Sequence, residues 1–311
     1  MREIRRCPLT GRRAVLTWGR LPVGRPATRP GGPYPFDADL GRPALWSDGE
    51  PWRVRVVPAG QPALGVEGNL DPSDDGLLEC SNGLGAHEVV IIGRDRGAHP
   101  ADLGPDLLYT CLRASRDRMR DLRRDRRLKA MTWAMVHGEE AGAWLDHPHA
   151  QVIALPSLPP ELAEGGRLHE RYRARTGRCP ACDLLERERS EGARWIDAND
   201  RAALIAAWAP RAPFELWLLP RTHRPAFEDA DAEDLSAAAA LLDRALGALG
   251  AALDGCALSA HLVTLPEQPA FHWRLVLRPQ LIQPGGFEAA TGWTAHGVWP
   301  EEAAAWIRRI L

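Results

Sequence analysis

One pattern occurs twice along the chain and limits its fold more than any other feature. Residues 88–99 are EVVIIGRDRGAH and residues 215–226 are ELWLLPRTHRPA: a glutamate, an apolar strand-like run and a basic turn. An acidic amphipathic segment follows each turn, and the second, FEDADAEDLSAAAALLDRALGALGAALD, has the apolar spacing of a long helix. Another strand-like stretch comes later in each copy, HPHAQVIALP at 147–156 and HWRLVLRPQ at 272–280.

The repeat predicts an α+β fold made of two tandem copies of one unit. The copies span 1–155 and 176–311, and the segment 156–175 connects them. Each unit should add antiparallel strands to a sheet, and a helix should pack across them, because a sheet with one apolar face must cover it.

Bulk properties exclude several classes of protein. The chain carries 39 basic and 41 acidic residues, a formal net charge of −2, which disfavours a nucleic-acid binder. The arginine-rich stretch RASRDRMRDLRRDRRLK (113–129) is interleaved with aspartates and leucines, which predicts the solvated face of a surface helix. No apolar run approaches the ~20 residues of a membrane span, and the scattered cysteines disfavour a disulfide scaffold. A cytoplasmic location is expected.

The stretch HPHAQ is the strongest chemical signal. Alternate strand residues share a face, so His147, His149 and Gln151 should line one polar face while Pro148, Ala150 and Val152 turn into packing. A pair of satisfied core histidines is the simpler alternative, but Gln151 extends the same polar face. Neutral imidazole is a nucleophile near pH 7, and a glutamine amide can donate to a phosphoryl oxygen as charge develops there. The pattern therefore favours attack of a histidine on phosphorus.

This motif and its flanks resemble the galactose-1-phosphate uridylyltransferases and their relatives, including the nucleotide-sugar phosphorylases, in the histidine-triad superfamily. The family has a glycine-rich turn and then His-x-His-x-Gln, and this chain has HGEEAGAWLDHPHAQ at 137–151. The stretches CPLTGRRAVLTWGRLPVGRP (7–26) and PGGFEAATGWTAHGVWPEEAAAWIRR (284–309) are similar to the opening and closing segments of the family. The resemblance implies two tandem histidine-triad-like units.

The resemblance also implies a reaction. His149 would attack the α-phosphorus of a nucleotide sugar and release a sugar 1-phosphate, and the nucleotidyl group, UMP by expectation, would pass to a second sugar 1-phosphate. Gln151 would hold phosphoryl oxygens, and His147 would belong to the same catalytic group. The substrate-binding residues would be Arg20, Arg25, Gly142, Trp144 and Glu288. A homodimer is expected, with no nucleic-acid or lipid partner.

A CxxC pair, Cys179 and Cys182, indicates a metal or redox site and is weak alone. By resemblance to the family, His223 and His272 complete a Cys2His2 set typical of structural zinc. The first half lacks this set. The sequence PYPF (33–36) stands where CxxC is expected, and by the repeat offset Arg96 stands at the position of His223. We therefore predict one zinc per chain, in the second half, and none in the first.

Three further positions differ from the family near the inferred pocket: Ala59 and Val136 replace asparagines, and Trp144 replaces a serine. Each change removes a polar contact, and Trp144 adds a ring that can stack on a base or sugar. These substitutions are compatible with an enzyme of altered specificity and also with a nucleotide-binding protein that has lost its catalytic activity. Phosphorolysis, with inorganic phosphate as acceptor, is a close alternative to transfer. A histidine-triad hydrolase is disfavoured, because glutamine holds the place of its third histidine.

Overall fold

The computed structural model describes residues 2–9, 13–17, 43–143 and 145–311. The first half contains β1 (Arg2–Arg6), β2 (Arg13–Thr17), β3 (Trp46–Ser47), β4 (Val54–Pro58), β5 (Ser73–Asp74), β6 (Glu79–Asn82), β7 (Ala86–Ile92), α1 (Gly104–Leu122), β8 (Ala130–His137) and β9 (His149–Leu155). The second contains α2 (Pro160–Thr176), α3 (Pro180–Glu191), β10 (Trp195–Ala198), β11 (Ala202–Ala206), β12 (Leu216–Pro220), α4 (Ala232–Ala252), β13 (Leu258–Val263), β14 (Arg274–Pro279), α5 (Gly286–Thr291) and α6 (Pro300–Ile310).

The main sheet has ten antiparallel strands in the order β10-β11-β12-β14-β13-β8-β9-β7-β4-β3. Counted outward from the central pair β8–β13, both halves have the same arrangement of strands, which is what two copies of one unit produce. Ala134 pairs with His261 at the junction. The predicted α+β fold is confirmed, whereas the boundaries at 155 and 176 stay a prediction. A smaller sheet, β2-β1-β6-β5, holds the N-terminal strands.

The helices α1 and α4 pack against each other and cover one face of the sheet. Asp231 caps α4, since its side chain accepts a hydrogen bond from the backbone N–H of Asp234. By length and composition α4 could also cross a membrane, which differs from our expectation that no run approaches that length. However, ten of its residues are buried, and it contacts α1, β11 and β12. It is therefore a helix of the core of this fold.

The arginine-rich stretch on α1 is less solvated than its composition predicts. Arg118 donates two hydrogen bonds of 2.7 Å to the buried Glu88 on β7. Arg116 and Arg120 donate to the carbonyl oxygens of Ala230 and Glu228. The prediction of a purely solvated face is therefore wrong, because three arginines turn inward and tie α1 to the sheet and to the turn before α4.

The two glutamates that mark the repeat face opposite sides of the sheet. Glu88 lies on the helix-covered side with Val90 and Ile92, whereas Glu215 bonds to the indole Nε1 of Trp217 on the other side. Because side chains alternate along a strand, an offset of one residue between the copies moves a side chain to the opposite face. The sequence repeat is real, but its alignment at this strand is one residue out of register.

Candidate active site

The face of the sheet that α1 and α4 leave open carries the HPHAQ motif. Ala150 and Val152 of β9 belong to the core under the helices, as the alternation predicts. His149 and Gln151 point to the opposite side, where they stand across from Ile91 and Val89 of β7. His149 is nevertheless only 8% exposed. The fold therefore holds this imidazole in a sheltered position at the end of a central strand.

A hydrogen bond fixes the tautomer of His149. Its Nδ1 donates to the backbone carbonyl oxygen of His147 over 2.8 Å. Since a carbonyl only accepts, the proton resides on Nδ1 and the lone pair on Nε2. This is the arrangement that a nucleophilic imidazole requires. The carbonyl of His147 also stabilises the positive charge that the ring acquires when Nε2 forms a bond.

The surroundings keep both motif histidines neutral. Burial lowers the pKa of His149, although its hydrogen bond to the His147 carbonyl opposes the change. Burial also lowers the pKa of His147, whose Nε2 donates to the carbonyl oxygen of Gly93 over 3.0 Å. His147 thus fixes the backbone carbonyl that orients His149, which is a positioning role.

A pH profile follows from these directions. Protonation of His149 removes the lone pair that attacks phosphorus, so the rate of adduct formation should fall as pH falls through the pKa of the folded state. Because burial lowers this pKa, the acidic limb should lie below about 6.5, the ordinary histidine value. Single-turnover rates between pH 4.5 and 8 measure it. An acidic limb above that value would contradict the assignment.

Gln151 is oriented by a residue that the sequence analysis missed. The amide N–H of Ala63 donates to Nδ1 of His87 over 3.2 Å, so the proton of His87 lies on Nε2. That Nε2 stands 2.7 Å from Oε1 of Gln151 and donates to it. The relay fixes the amide so that its N–H groups point away from His87. His87 and Gln151 share the open face of adjacent strands. The alternation of AHEVVII places His87 on one face of its strand but does not show which residue it contacts.

Replacement of His87 should therefore slow the reaction without unfolding the protein. We expect His87→Ala to lower the rate of adduct formation about ten-fold, the equivalent of one net hydrogen bond. The same change in a Gln151→Ala background should have a much smaller effect, because the group that it orients is gone. Single-turnover kinetics on the four proteins measure the coupling. Equal effects in both backgrounds would show that His87 acts independently of Gln151.

A buried apolar cluster lies beside His149 on the same face of the sheet. It consists of the buried side chains Trp52, Val57, Val89 and Ile91, with Ala59 packed against them. Val136 follows the pair Met135–Ala150 and therefore stands next to His149 in the register. Both positions at which the resemblance implies an asparagine, Ala59 and Val136, are thus beside the motif.

The turn before the motif depends on glycine. Gly138 has φ +83°, and a Cβ there would lie 2.4 Å from Cβ of Ala257. Gly142 ends the short 3-10 turn Glu139–Ala141 in the left-handed conformation, with open space around it. The turn can therefore approach β13 closely and return the chain to His147. Trp144 lies outside the described residues.

A second cluster of side chains brings together Cys179, Cys182, His223 and His272. Their ligand atoms all lie within 4.8 Å of one another. Nδ1 of His272 is 3.8 Å from Sγ of Cys179 and 3.5 Å from Sγ of Cys182, and Nδ1 of His223 is 3.8 Å from Sγ of Cys182. Ligands of a tetrahedral ion with bonds of ~2.0–2.3 Å have such separations. The predicted four residues therefore meet in one site that can hold a metal.

Second contacts orient both imidazoles of this cluster. Nε2 of His272 donates to the carbonyl of Pro220, and Nε2 of His223 donates to the carbonyl of Pro269, each over 2.9 Å. The lone pairs are thereby left on the two Nδ1 atoms, which face the sulfurs. The cluster joins the N-terminus of α3 to the ends of β12 and β14.

The first half is different at the equivalent place. Pro33 and Phe36 lie outside the described residues. The charge of Arg96 contributes to the lowered pKa of His147, although burial is the larger cause. The absence of zinc from this half stays a prediction.

Comparisons with known proteins agree with this geometry. No family model matches the chain. An ADP-glucose phosphorylase of Arabidopsis thaliana is 27% identical over 333 residues, which cover 99% of this chain and 93% of the relative. A galactose-1-phosphate uridylyltransferase of Thermotoga maritima is 29% identical over 151 residues, 48% of this chain and 46% of the relative. A solved structure of an ADP-glucose phosphorylase from A. thaliana with bound ADP-glucose is 26% identical and has a TM-score of 0.77, covering 99% of this chain and 98% of that one.

The chain is similar over nearly its full length to an ADP-glucose phosphorylase and over about half of it to a galactose-1-phosphate uridylyltransferase. Of the substrate-binding residues that this relationship suggests, Arg20 and Arg25 lie outside the described residues. Glu288 is placed on α5, where its carboxylate accepts hydrogen bonds from the backbone N–H groups of Gly285 and Ala295. The carboxylate of Glu288 therefore stabilises the segment 285–295 of its own chain. Its contact with a sugar stays a prediction.

Proposed function

We propose that the protein transfers a nucleotidyl group from a nucleotide sugar through a covalent intermediate on His149. The observation that carries this proposal is the hydrogen bond from Nδ1 of His149 to the His147 carbonyl, which leaves the lone pair on Nε2. The relationship to uridylyltransferases and to an ADP-glucose phosphorylase supports the same class of reaction.

The first step is a displacement at phosphorus. Nε2 of His149 forms a bond to the α-phosphorus, the bond from that phosphorus to the bridging oxygen breaks, and the sugar 1-phosphate leaves with the electron pair. The imidazole becomes positively charged, and the His147 carbonyl accepts a stronger hydrogen bond from Nδ1. The amide of Gln151, held by His87, donates to a phosphoryl oxygen.

The second step regenerates the free imidazole of His149. A phosphate oxygen of the acceptor attacks the nucleotidyl phosphorus, the P–N bond breaks, and its electron pair returns to Nε2. A sugar 1-phosphate as acceptor yields a new nucleotide sugar. We propose transfer to a sugar 1-phosphate, with UMP as the expected group, as the first candidate.

Phosphorolysis is the second candidate. The relative that matches almost the full chain is an ADP-glucose phosphorylase, whereas the uridylyltransferase matches about half of it. Inorganic phosphate as acceptor would yield a nucleoside diphosphate. The two candidates share the first step and the same histidine.

Product analysis separates the two candidates. The enzyme is incubated with UDP-glucose or ADP-glucose and either galactose 1-phosphate or inorganic phosphate, and nucleotides are resolved by chromatography. UDP-galactose as the main product supports transfer, and a nucleoside diphosphate that appears only with phosphate supports phosphorolysis. If the donor binds but no product forms with either acceptor, both candidates are contradicted.

We further propose that the Cys2His2 cluster holds a structural zinc ion, since thiolates and imidazoles at these separations suit zinc. A homodimer in the cytoplasm remains our expectation. Large aromatic side chains near the C-terminus support an interface: Phe287, Trp293, Trp299 and Trp306 are more than half exposed. Light scattering should give twice the chain mass, and a monomeric mass at micromolar concentration would contradict the dimer.

A further inference from the structure

A cavity of about 360 Å³ lies between the open face of the sheet and α2, and His149 does not line it. Residues of the second half form most of its lining, and residues 130–132 and Leu155 of the first half complete it. Polar side chains line much of it: Glu161, Arg211, Glu215, His261, Arg274 and Arg278. Nothing in the proposed reaction uses this space.

Arg274 occupies the place in the second half that His149 has in the first. Each residue stands two positions after a histidine whose Nε2 donates to the carbonyl at the end of a neighbouring strand. Those acceptors are Gly93 for His147 and Pro220 for His272. The second copy of the repeat therefore presents a guanidinium where the first presents an imidazole, and Val276 where the first presents Gln151. Such a site can bind an anion, and it has no imidazole at the position that His149 occupies in the first half.

The charges around the cavity do not balance. Arg211 pairs with Glu161 at 2.9 Å, and Arg278 pairs with Glu215 at 3.1 Å. Glu215 also accepts hydrogen bonds from the indole of Trp217 and the backbone N–H of Arg211. One cation, Arg274, is left over.

Arg274 has no anionic partner in the described part of the chain. Its Nε is enclosed and makes no hydrogen bond, and its guanidinium lies over the ring of Trp217 at 4.7 Å. The pKa of His261, beside Arg274, is lowered to about 4 by burial and then by the charge of Arg278, so this imidazole is neutral at pH 7. A buried guanidinium without a carboxylate is costly unless an anion binds to it.

We propose that this cavity binds a small phosphorylated metabolite through Arg274, without reacting with it. A guanidinium matches phosphate oxygens with paired N–H donors, and the volume admits a phosphate ester of a few carbons. Neutral His261 supplies a further polar contact. The proposal does not depend on chemistry at His149, since a binding site here remains even if no nucleotidyl group is transferred.

Calorimetric titration with glycerol 3-phosphate tests the proposal, with inorganic phosphate and malonate as comparison ligands. The wild-type protein should bind the phosphate ester, and Arg274→Met should weaken binding about ten-fold or more. Arg274→Lys keeps the charge but loses the paired donors, so its affinity for glycerol 3-phosphate should lie between those of the wild type and Arg274→Met. Arg187→Met, on the exposed face of α3, is the matched control and should bind as the wild type does. Formation of the nucleotidyl adduct should be unchanged in all of them.

A crystal structure with glycerol 3-phosphate locates the ligand. Phosphate beside Arg274 supports the proposal. Equal affinities for wild type and a folded Arg274→Met, or phosphate found only beside His149, would overturn it. Binding of malonate in place of both phosphate ligands would also overturn it, because the site would then select carboxylates.

Discussion

Replacement of His149 by alanine should abolish the nucleotidyl adduct while leaving the fold intact. The side chain forms the only bond that holds the nucleotidyl group, and loss of a covalent nucleophile lowers kcat by about 10⁴-fold or more. The fold should persist, because the neighbouring residues Ala150 and Val152 carry the packing of this strand. Intact-mass measurement after incubation with a nucleotide sugar shows the adduct directly, and steady-state turnover gives the rate.

The control for this experiment is a histidine outside the motif. His169 on α2 packs against Phe271, and its Nδ1 donates to the carbonyl of Gly165. His169→Ala should form the adduct at the wild-type rate. Thermal unfolding of both variants excludes a general loss of structure. Adduct formation or turnover at the wild-type rate in His149→Ala would remove His149 from the mechanism.

Loss of a cysteine ligand should release the metal and destabilise the second half. Wild-type protein should contain about one zinc per chain. In Cys179→Ser, which removes one of four ligands, zinc should fall to nearly zero. An ion held in the folded state at a free concentration 1,000-fold above its dissociation constant contributes about 4 kcal/mol to the free energy of unfolding. A loss of that order is expected on substitution or on strong chelation.

Elemental analysis and thermal unfolding measure both effects. Cys256→Ser is the matched control, since Cys256 lies outside the cluster, and it should retain zinc and stability. Zinc retained in a Cys179→Ser/Cys182→Ser double variant would contradict the ligand assignment. Two zinc ions per wild-type chain would instead contradict the predicted loss of the site in the first half.

Much of the fold could be predicted because the repeat is visible in the sequence. Two strand-like runs with the same order of turn, helix and strand imply a doubled unit, and the strand order on both sides of β8–β13 has that symmetry. The metal cluster could be predicted from the CxxC pair together with the resemblance to the family, which implied His223 and His272 as the other two ligands. The structure brings Cys179, Cys182, His223 and His272 within reach of one ion.

Register and long-range pairing could not be predicted. A shift of one residue places Glu88 and Glu215 on opposite faces, and no local preference in either strand reveals it. The inward arginines of α1 were missed for a related reason. Their partner Glu88 lies 30 residues away from Arg118 and is buried on another element. Helical spacing identifies a face but does not show which distant carboxylate covers it.

The role of His87 could have been found only with the pairing of β7 and β9 in hand. It lies 64 residues before Gln151 and belongs to no motif. The cavity around Arg274 is a similar case. It requires the packing of α2 over the second half of the sheet, and the pattern HWRLVLRPQ shows only that Arg274 stands where the first copy has its nucleophile.

The most direct test of the central claim is the intact mass of the wild-type protein after brief incubation with UDP-, ADP-, GDP-, CDP- and dTDP-glucose, quenched in base to protect an acid-labile phosphoramidate. We expect an added mass of one nucleoside monophosphate with at least one donor, and that mass identifies the nucleotide. No adduct with any donor, together with thermal stabilisation by one of them, would contradict covalent transfer and make this chain a nucleotide-binding protein that does not turn over.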